Sequence, residues 1–432
     1  MAQAEFALKL LRDSGPSGSF VILSPFSISV ALAMVYAGAD GKTKIEIGDA
    51  LAKGAKDEEI VNYFSALMME LSKEGDGYKL LAANKLYVQE HSDILQSFKD
   101  VIKEKFDGQL QEVDFSKATE TAKIINEWVE KKTNAKIKNL ISPDMLTVAT
   151  TLALVNAIYF KGDWATKFDV HRTMKKQFHV AENQNREIEM MTVTQNFLYT
   201  EDETMQVLGL PYKSGVVSMF VFLPKKKFGL AEVEKSLSGE KLIALINSSA
   251  KDNKIIIEMM TVTQNFLYTE DETMQVLGLP YKSGVVSMFV FLPKKKFALA
   301  EVEKSLSGEK LIALINSSTK DNKIIVELPK FKLESKFELR TTLEQLGIHD
   351  AFTSSANFSD ISAKPLIISH VIHQAFIETN EEGTEAAAAT AILMSRSMRP
   401  LAATLPIKFI ADHPFIFAIV KNNHILFIGR FH

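Results

Sequence analysis

A chain of 432 residues, 46% hydrophobic and 24% charged, has the balance of an ordinary soluble globular protein with a sizeable core, at the length of two to three average domains. Its net charge of −3 gives no reason to expect a nucleic acid or an acidic membrane as partner. With no cysteine, disulfide scaffolds, thiolate metal sites and cysteine nucleophiles are excluded.

The opening stretch MAQAEFALKLLRDSGPSGSF sets Phe6, Leu8, Leu10 and Leu11 among charges. It predicts an amphipathic helix, too short and too charged for a secretory leader. No run is long enough to cross a membrane. A cytoplasmic location is the default, with an extracellular one as the alternative if a leader is absent from this sequence. Ser24-Pro25, a capping residue followed by proline, opens a helix over Ser27 to Tyr36. A second helix covers Thr121 to Lys132, with Ile124, Ile125, Trp128 and Val129 on one side. Leu152 to Phe160 reads as a buried strand interrupted by Asn156.

The middle of the chain repeats itself. Residues 188–256 and 257–325 are 69 residues each and differ only at Gly229/Ala298 and Ala250/Thr319, so 67 of 69 positions are identical. Solenoid repeats diverge more and need three or more copies, so the two copies indicate a recent segmental duplication, or an artefact of how the sequence was assembled, and not a repeat architecture. Within one copy, Met205 to Tyr212 and Val216 to Leu223 form a hairpin around Lys213-Ser214-Gly215, closed off by Pro224. Leu230 to Leu237 and Lys241 to Ile246 carry helical spacing. Removing the 69 residues of one copy from 432 leaves 363, the size of one large domain. Two near-identical copies would then compete for one set of places, leaving an apolar strand of the loser unpaired. The chain closes with Phe415, Phe417, Ile419, Ile425 and Phe427 alternating around Lys421 to His424, a deeply buried hairpin. Mixed helices and mostly antiparallel strands give an α+β class.

Catalytic signatures are missing: no G-x-S-x-G, H-E-x-x-H, G-x-G-x-x-G or P-loop occurs. His370 and His373 sit three apart with no carboxylate or further histidine at ligand spacing, so no metal and no cofactor is expected. The Lys225 to Lys227 cluster and Asp412-His413 read as turns. The chain is not expected to be an enzyme.

Five stretches together resemble the serpin family of serine protease inhibitors, over essentially the whole chain. HQAFIETNEEGTEAAAAT (373–390) resembles the strand and hinge leading into a serpin reactive loop, and SPFSISVALAM (24–34) the early buried helix. NAIYFKGDW (156–164) resembles a central strand of the main sheet and its exit. FIADHPFIF (409–417) and ILFIGR (425–430) resemble the carboxy-terminal strand pair. The resemblance implies one α+β domain over 1–432, with three β-sheets, eight or nine helices and an exposed reactive-centre loop at about 381–405, interrupted by the repeat. It implies a suicide-substrate mechanism: a serine protease cleaves the loop, an acyl-enzyme forms, and the severed loop enters the main sheet. About fifteen inserted residues at ~3.3 Å each would carry the protease some ~50 Å.

Composition explains the hinge Glu381, Glu382, Gly383, Thr384, Glu385, Ala386, Ala387, Ala388, Ala389 and Thr390. A segment that becomes a central strand must place small side chains into a packed core on alternate positions, as Thr384, Ala386, Ala388 and Thr390 do. Ser24, Ser27, Asn156 and His373 resemble the polar cluster beneath the opening sheet, and Trp164 the residue at its top. For the reactive bond, the resemblance implies the family's common spacing of roughly seventeen residues from the first hinge glutamate, which counted from Glu381 gives Ser397, with cleavage before Met398, in a loop that adds a strand. Arginine chemistry selects Arg396-Ser397 for a trypsin-like pocket, and Met398-Arg399 would suit a chymotrypsin-like one. Arg396 is favoured. The expected partner is the target protease alone, with no nucleic acid and no membrane, and the protein is expected to be a monomer. The alternatives are a non-inhibitory serpin-like protein, which would carry a bulky or charged hinge, and a poorly folded duplication product.

Overall fold

The helix Pro25–Tyr36 shows how local signals and burial cooperate. Ser24 caps it, its Oγ accepting the Ser27 backbone N–H at 3.2 Å, and Pro25 takes the first position, where a missing N–H has no consequence. All twelve residues are buried, as a helix apolar on every side requires. The computed structural model describes residues 2–432 except 16–18, 53, 72–76, 196, 247–266, 271–273, 281–286, 294–323, 382–406 and 422–423. Of the hinge, only Glu381 is among the described residues. Glu382, Gly383, Thr384, Glu385, Ala386, Ala387, Ala388, Ala389, Thr390, Arg396, Ser397 and Met398 lie outside them.

The main sheet orders its five strands Phe331–Glu338, Ile368–Thr379, Leu152–Gly162, Tyr78–Gln89, Leu110–Val113. Its middle strand is buried on both faces. Leu152, Leu154, Ile158 and Phe160 join the large core that also holds Pro25–Tyr36. Ala153, Val155, Ala157 and Tyr159 join a second core with Ala122, Ile125 and Val129 of helix Ala118–Lys132. The two-residue period of the strand thus makes this sheet the middle of three layers. The sequence predicts mostly antiparallel strands, and the outer neighbours of the central pair are antiparallel. The pair itself, Ile368–Thr379 beside Leu152–Gly162, is parallel.

A six-stranded sheet orders Val21–Leu23, His424–Phe431, Phe415–Lys421, Val217–Pro224, Met205–Pro211, Leu198–Glu201. The carboxy-terminal hairpin lies inside it with every residue of Phe415–Lys421 buried. A four-stranded sheet orders Ile407–Ile410, Ile324–Pro329, Gln184–Gln195, Met174–Ala181. These are the three sheets expected, and the described residues hold nine α-helices beside them.

The two copies of the repeat are placed differently. The first supplies three strands of the six-stranded sheet, followed by helix Leu230–Ser236 and a helix over 239–246. The second supplies Leu267–Glu270, Met274–Pro280 and Ser287–Pro293, which form a separate three-stranded sheet. Its registers reproduce those of the first copy: Met274 opposes Pro293 as Met205 opposes Pro224. The expectation of an unpaired strand in the losing copy is therefore corrected. Its strands are neighbours along the chain, so the copy brings its own hydrogen-bonding partners wherever it goes.

Candidate functional site

Three adjacent strands of the main sheet place polar residues side by side in a layer that is otherwise apolar. His373 opposes Asn156, and Asn156 opposes Asn84. All three share the face toward helix Pro25–Tyr36, whose cap and first turn supply Ser24 and Ser27. The backbone N–H of Ser24 donates to His373 Nε2 at 3.1 Å, so the ring proton sits on Nδ1, which faces and donates to Asn156 Oδ1. Asn156 Nδ2 donates to Ser27 Oγ at 2.7 Å and to Asn84 Oδ1 at 2.5 Å. Ser27 Oγ in turn donates to Asn84 Oδ1 at 2.7 Å, and Ser24 Oγ to the Leu426 carbonyl at 2.7 Å. Burial of the imidazole pushes its pKa down from 6.5 to about 3, so it is neutral here.

The sequence reading brought together Ser24, Ser27, Asn156 and His373, and the structure joins all four. It missed Asn84, which is 5% exposed. A weaker form of the signal that marked Asn156 was present: an asparagine in the mostly apolar stretch LLAANKLYV, with Lys85 directly after it.

At the end of the parallel pair, the chain leaves Ile368–Thr379 and enters the hinge. Trp164 stacks on Tyr212 with ring centroids 4.5 Å apart and planes 7° from parallel. Its Nε1–H donates to the Asn380 carbonyl at 2.8 Å. The Phe168 N–H donates to the Glu381 carbonyl at 2.8 Å, Thr173 Oγ1 donates to Glu381 Oε1 at 2.8 Å, and Lys330 Nζ lies 3.3 Å from Glu381 Oε2. Burial raises the Glu381 pKa, but hydrogen bonds from its own backbone, Thr173 and Lys330 outweigh it and hold the carboxyl below its usual range. Glu381, 5% exposed and expected from the sequence as the first hinge residue, is thus a buried anchor. Thr173 and Lys330 carry no sequence signal for this role.

Elsewhere, His370 Nδ1 meets Glu338 Oε2 at 3.1 Å and His413 Nε2 meets the Pro224 carbonyl at 2.7 Å. Among the described residues no group of three histidines or carboxylates could hold a metal ion, and no helix is long and apolar enough to cross a membrane.

Three sheets and their helices, with a buried polar cluster beneath the central parallel pair of the main sheet, make up the architecture of a serpin-type fold. The family model described as serpin (serine protease inhibitor) matches residues 1–256 and 248–432, and the chain belongs to that family. It is 35% identical over 438 residues to Serpin B6 of Macaca fascicularis, covering 100% of this chain and 98% of the relative. It is 33% identical to leukocyte elastase inhibitor of Bos taurus, covering 99% and 97%, and 32% identical to intracellular coagulation inhibitor 2 of Tachypleus tridentatus, covering 98% and 88%. Among solved structures, uncleaved ovalbumin superposes with a TM-score of 0.72 at 27% identity, covering 99% of this chain and 98% of that one. Its function is accordingly inhibition of serine proteases as a suicide substrate, through loop cleavage, acyl-enzyme formation and insertion into the main sheet.

Proposed function

We propose that the target is a trypsin-like serine protease, that the reactive bond is Arg396-Ser397, and that the inserting segment begins at Glu381 within a loop of about 381–405. Arg396, of the residue type an acidic trypsin-like pocket accepts, supports the target and the bond. The parallel pair Leu152–Gly162 and Ile368–Thr379 with Asn380 and Glu381 at its end supports the place of insertion. A chain that turns back at Glu381 and enters between these strands runs antiparallel to both. One parallel ladder is then replaced by two antiparallel ones, which are somewhat more stable per residue. Serpin loop insertion is itself a standing example of such strand addition.

The polar cluster sits where the pair must part. His373 and Asn156 belong to the two separating strands, while Ser24 and Ser27 belong to the helix below. Groups of this kind can exchange partners as the ladder opens, whereas interlocked apolar side chains would have to leave voids. Displacing the acyl group then removes the oxyanion geometry that deacylation requires. The same reading takes the chain as one monomeric cytoplasmic domain carrying a tandem duplication, with the second copy as an insert.

Incubation with trypsin, chymotrypsin and elastase, followed by a denaturing gel, tests it. A complex with trypsin that survives SDS, with a released fragment beginning at Ser397, is the expected result. Nicking by all three without any stable complex would overturn the inhibitory reading, and a fragment beginning at Met398 or Arg399 would overturn the choice of bond.

A further inference from the structure

The place beside strand Phe415–Lys421 is filled by the hairpin Met205–Pro211/Val217–Pro224. The strands Met274–Pro280 and Ser287–Pro293 repeat that hairpin residue for residue and in the same register. We infer that this place is a two-way binding site, able to take the hairpin of either copy, and that Gly229 sets the first copy as its occupant.

The topology permits the exchange. Strand Gln184–Gln195 ends three residues before Leu198, and Leu267 is the residue equivalent to Leu198. With Gln184–Gln195 kept in place, the second copy can follow it into the six-stranded sheet while the first loops out. Either arrangement displaces a stretch of similar length, and closure entropy varies only slowly with length. Side-chain burial in the site is also unchanged, because the strands are identical in sequence.

The balance is therefore decided where the copies differ, at Gly229/Ala298 and at Ala250/Thr319, and of these four residues Gly229 is the one among the described residues. Gly229 precedes helix Leu230–Ser236 at the capping position, with its N–H bonded to the Lys226 carbonyl at 3.0 Å. A Cβ at this position would lie 2.9 Å from the Lys226 backbone oxygen, closer than side chains come without the backbone moving. The preceding residue, Phe228, already has a φ of 65°, so this turn has little freedom to give way. Alanine is also a poorer helix cap than glycine. Ordering alanine loses less chain entropy than ordering glycine; this favours the second copy, but it is opposed by both the backbone overlap and the weaker cap.

The absence of cysteine makes the occupant directly readable. Ser218 faces Val420 across the ladder, and Ser287 is the equivalent of Ser218. Two full-length variants, Ser218→Cys/Val420→Cys and Ser287→Cys/Val420→Cys, are equilibrated in a glutathione redox buffer and their linked peptides quantified by mass spectrometry. The first pair is expected to close in the major fraction, which also shows that the substituted sheet is folded. The second is expected to close within single chains in a minor fraction. Exchanging the two residues, Gly229→Ala with Ala298→Gly, is expected to shift the ratio toward the second pair by on the order of fivefold. No closure of the second pair in either background overturns the two-way site, and so does closure only between chains. Closure with a ratio that the exchange leaves unchanged overturns the role of Gly229.

Discussion

Acidification sets His373 against the folded state. Its Nε2 accepts the Ser24 N–H at 3.1 Å inside a fully buried site, so a proton added there would point two N–H groups at each other with no water to separate them. The folded-state pKa of about 3 lies below the ordinary 6.5. In the unfolded chain this histidine binds a proton below pH 6.5, while the native chain does not until near pH 3. Stability is therefore unaffected by this group above pH 6.5 and falls as the pH is lowered between those values. Each pH unit in that window corresponds to about 1.4 kcal/mol, so at pH 5 the group removes about 2 kcal/mol. Carboxylates change stability over part of the same range, and a comparison of two chains cancels them. Urea unfolding of the uncut protein and of His373→Gln, from pH 7.5 to pH 4.5, gives the required difference. The variant is expected to lose several tenths to 2 kcal/mol at pH 7.5 from the altered hydrogen bonds, with the gap closing and reversing as the pH falls. Parallel curves for the two proteins would refute the assignment of a neutral, proton-excluding His373.

Thr384→Arg is expected to convert the inhibitor into a substrate, because the first inserted side chain would bury an unpaired charge at several kcal/mol; an undiminished SDS-stable complex on a gel would count against insertion. Trp164→Phe should remove the bond from Nε1 to the Asn380 carbonyl while keeping an aromatic ring against Tyr212. It should lower stability by about 1 kcal/mol, read as a fall in the thermal midpoint, and leave the hinge more open to proteolysis. Deleting 257–325 should give a 363-residue protein that is at least as inhibitory and more monomeric by size exclusion, since it removes the separate sheet, whose outer strands pair no further among the described residues. Equal monomer yield from both proteins would make the extra unit a stable part of the fold.

Much of this was already legible in the residues. Ser24-Pro25 ahead of a mostly apolar run specified the start of a helix, because capping acts within one turn of chain. Asn156 in the middle of LALVNAIYF marked a polar group that must find partners in the core, since leaving it unsatisfied costs too much. The small alternating residues from Thr384 raised the expectation of entry into a packed sheet, and they lie outside the described residues.

The tertiary structure alone chose the partners. No periodicity states that Ile368–Thr379 runs parallel to Leu152–Gly162, yet that pairing sets His373 beside Asn156 and decides which polar groups meet beneath the sheet. Glu381 is held by Thr173 and Lys330, which are ordinary surface-type residues until the four-stranded sheet is laid against the exit of the main one. The sharpest case is the repeat. Copies identical at 67 of 69 positions have the same propensities, the same hydrophobic pattern and the same turns. Which copy occupies the six-stranded sheet rests on contacts such as the few ångströms between Gly229 and the Lys226 carbonyl, and such a distance exists only once the chain has folded.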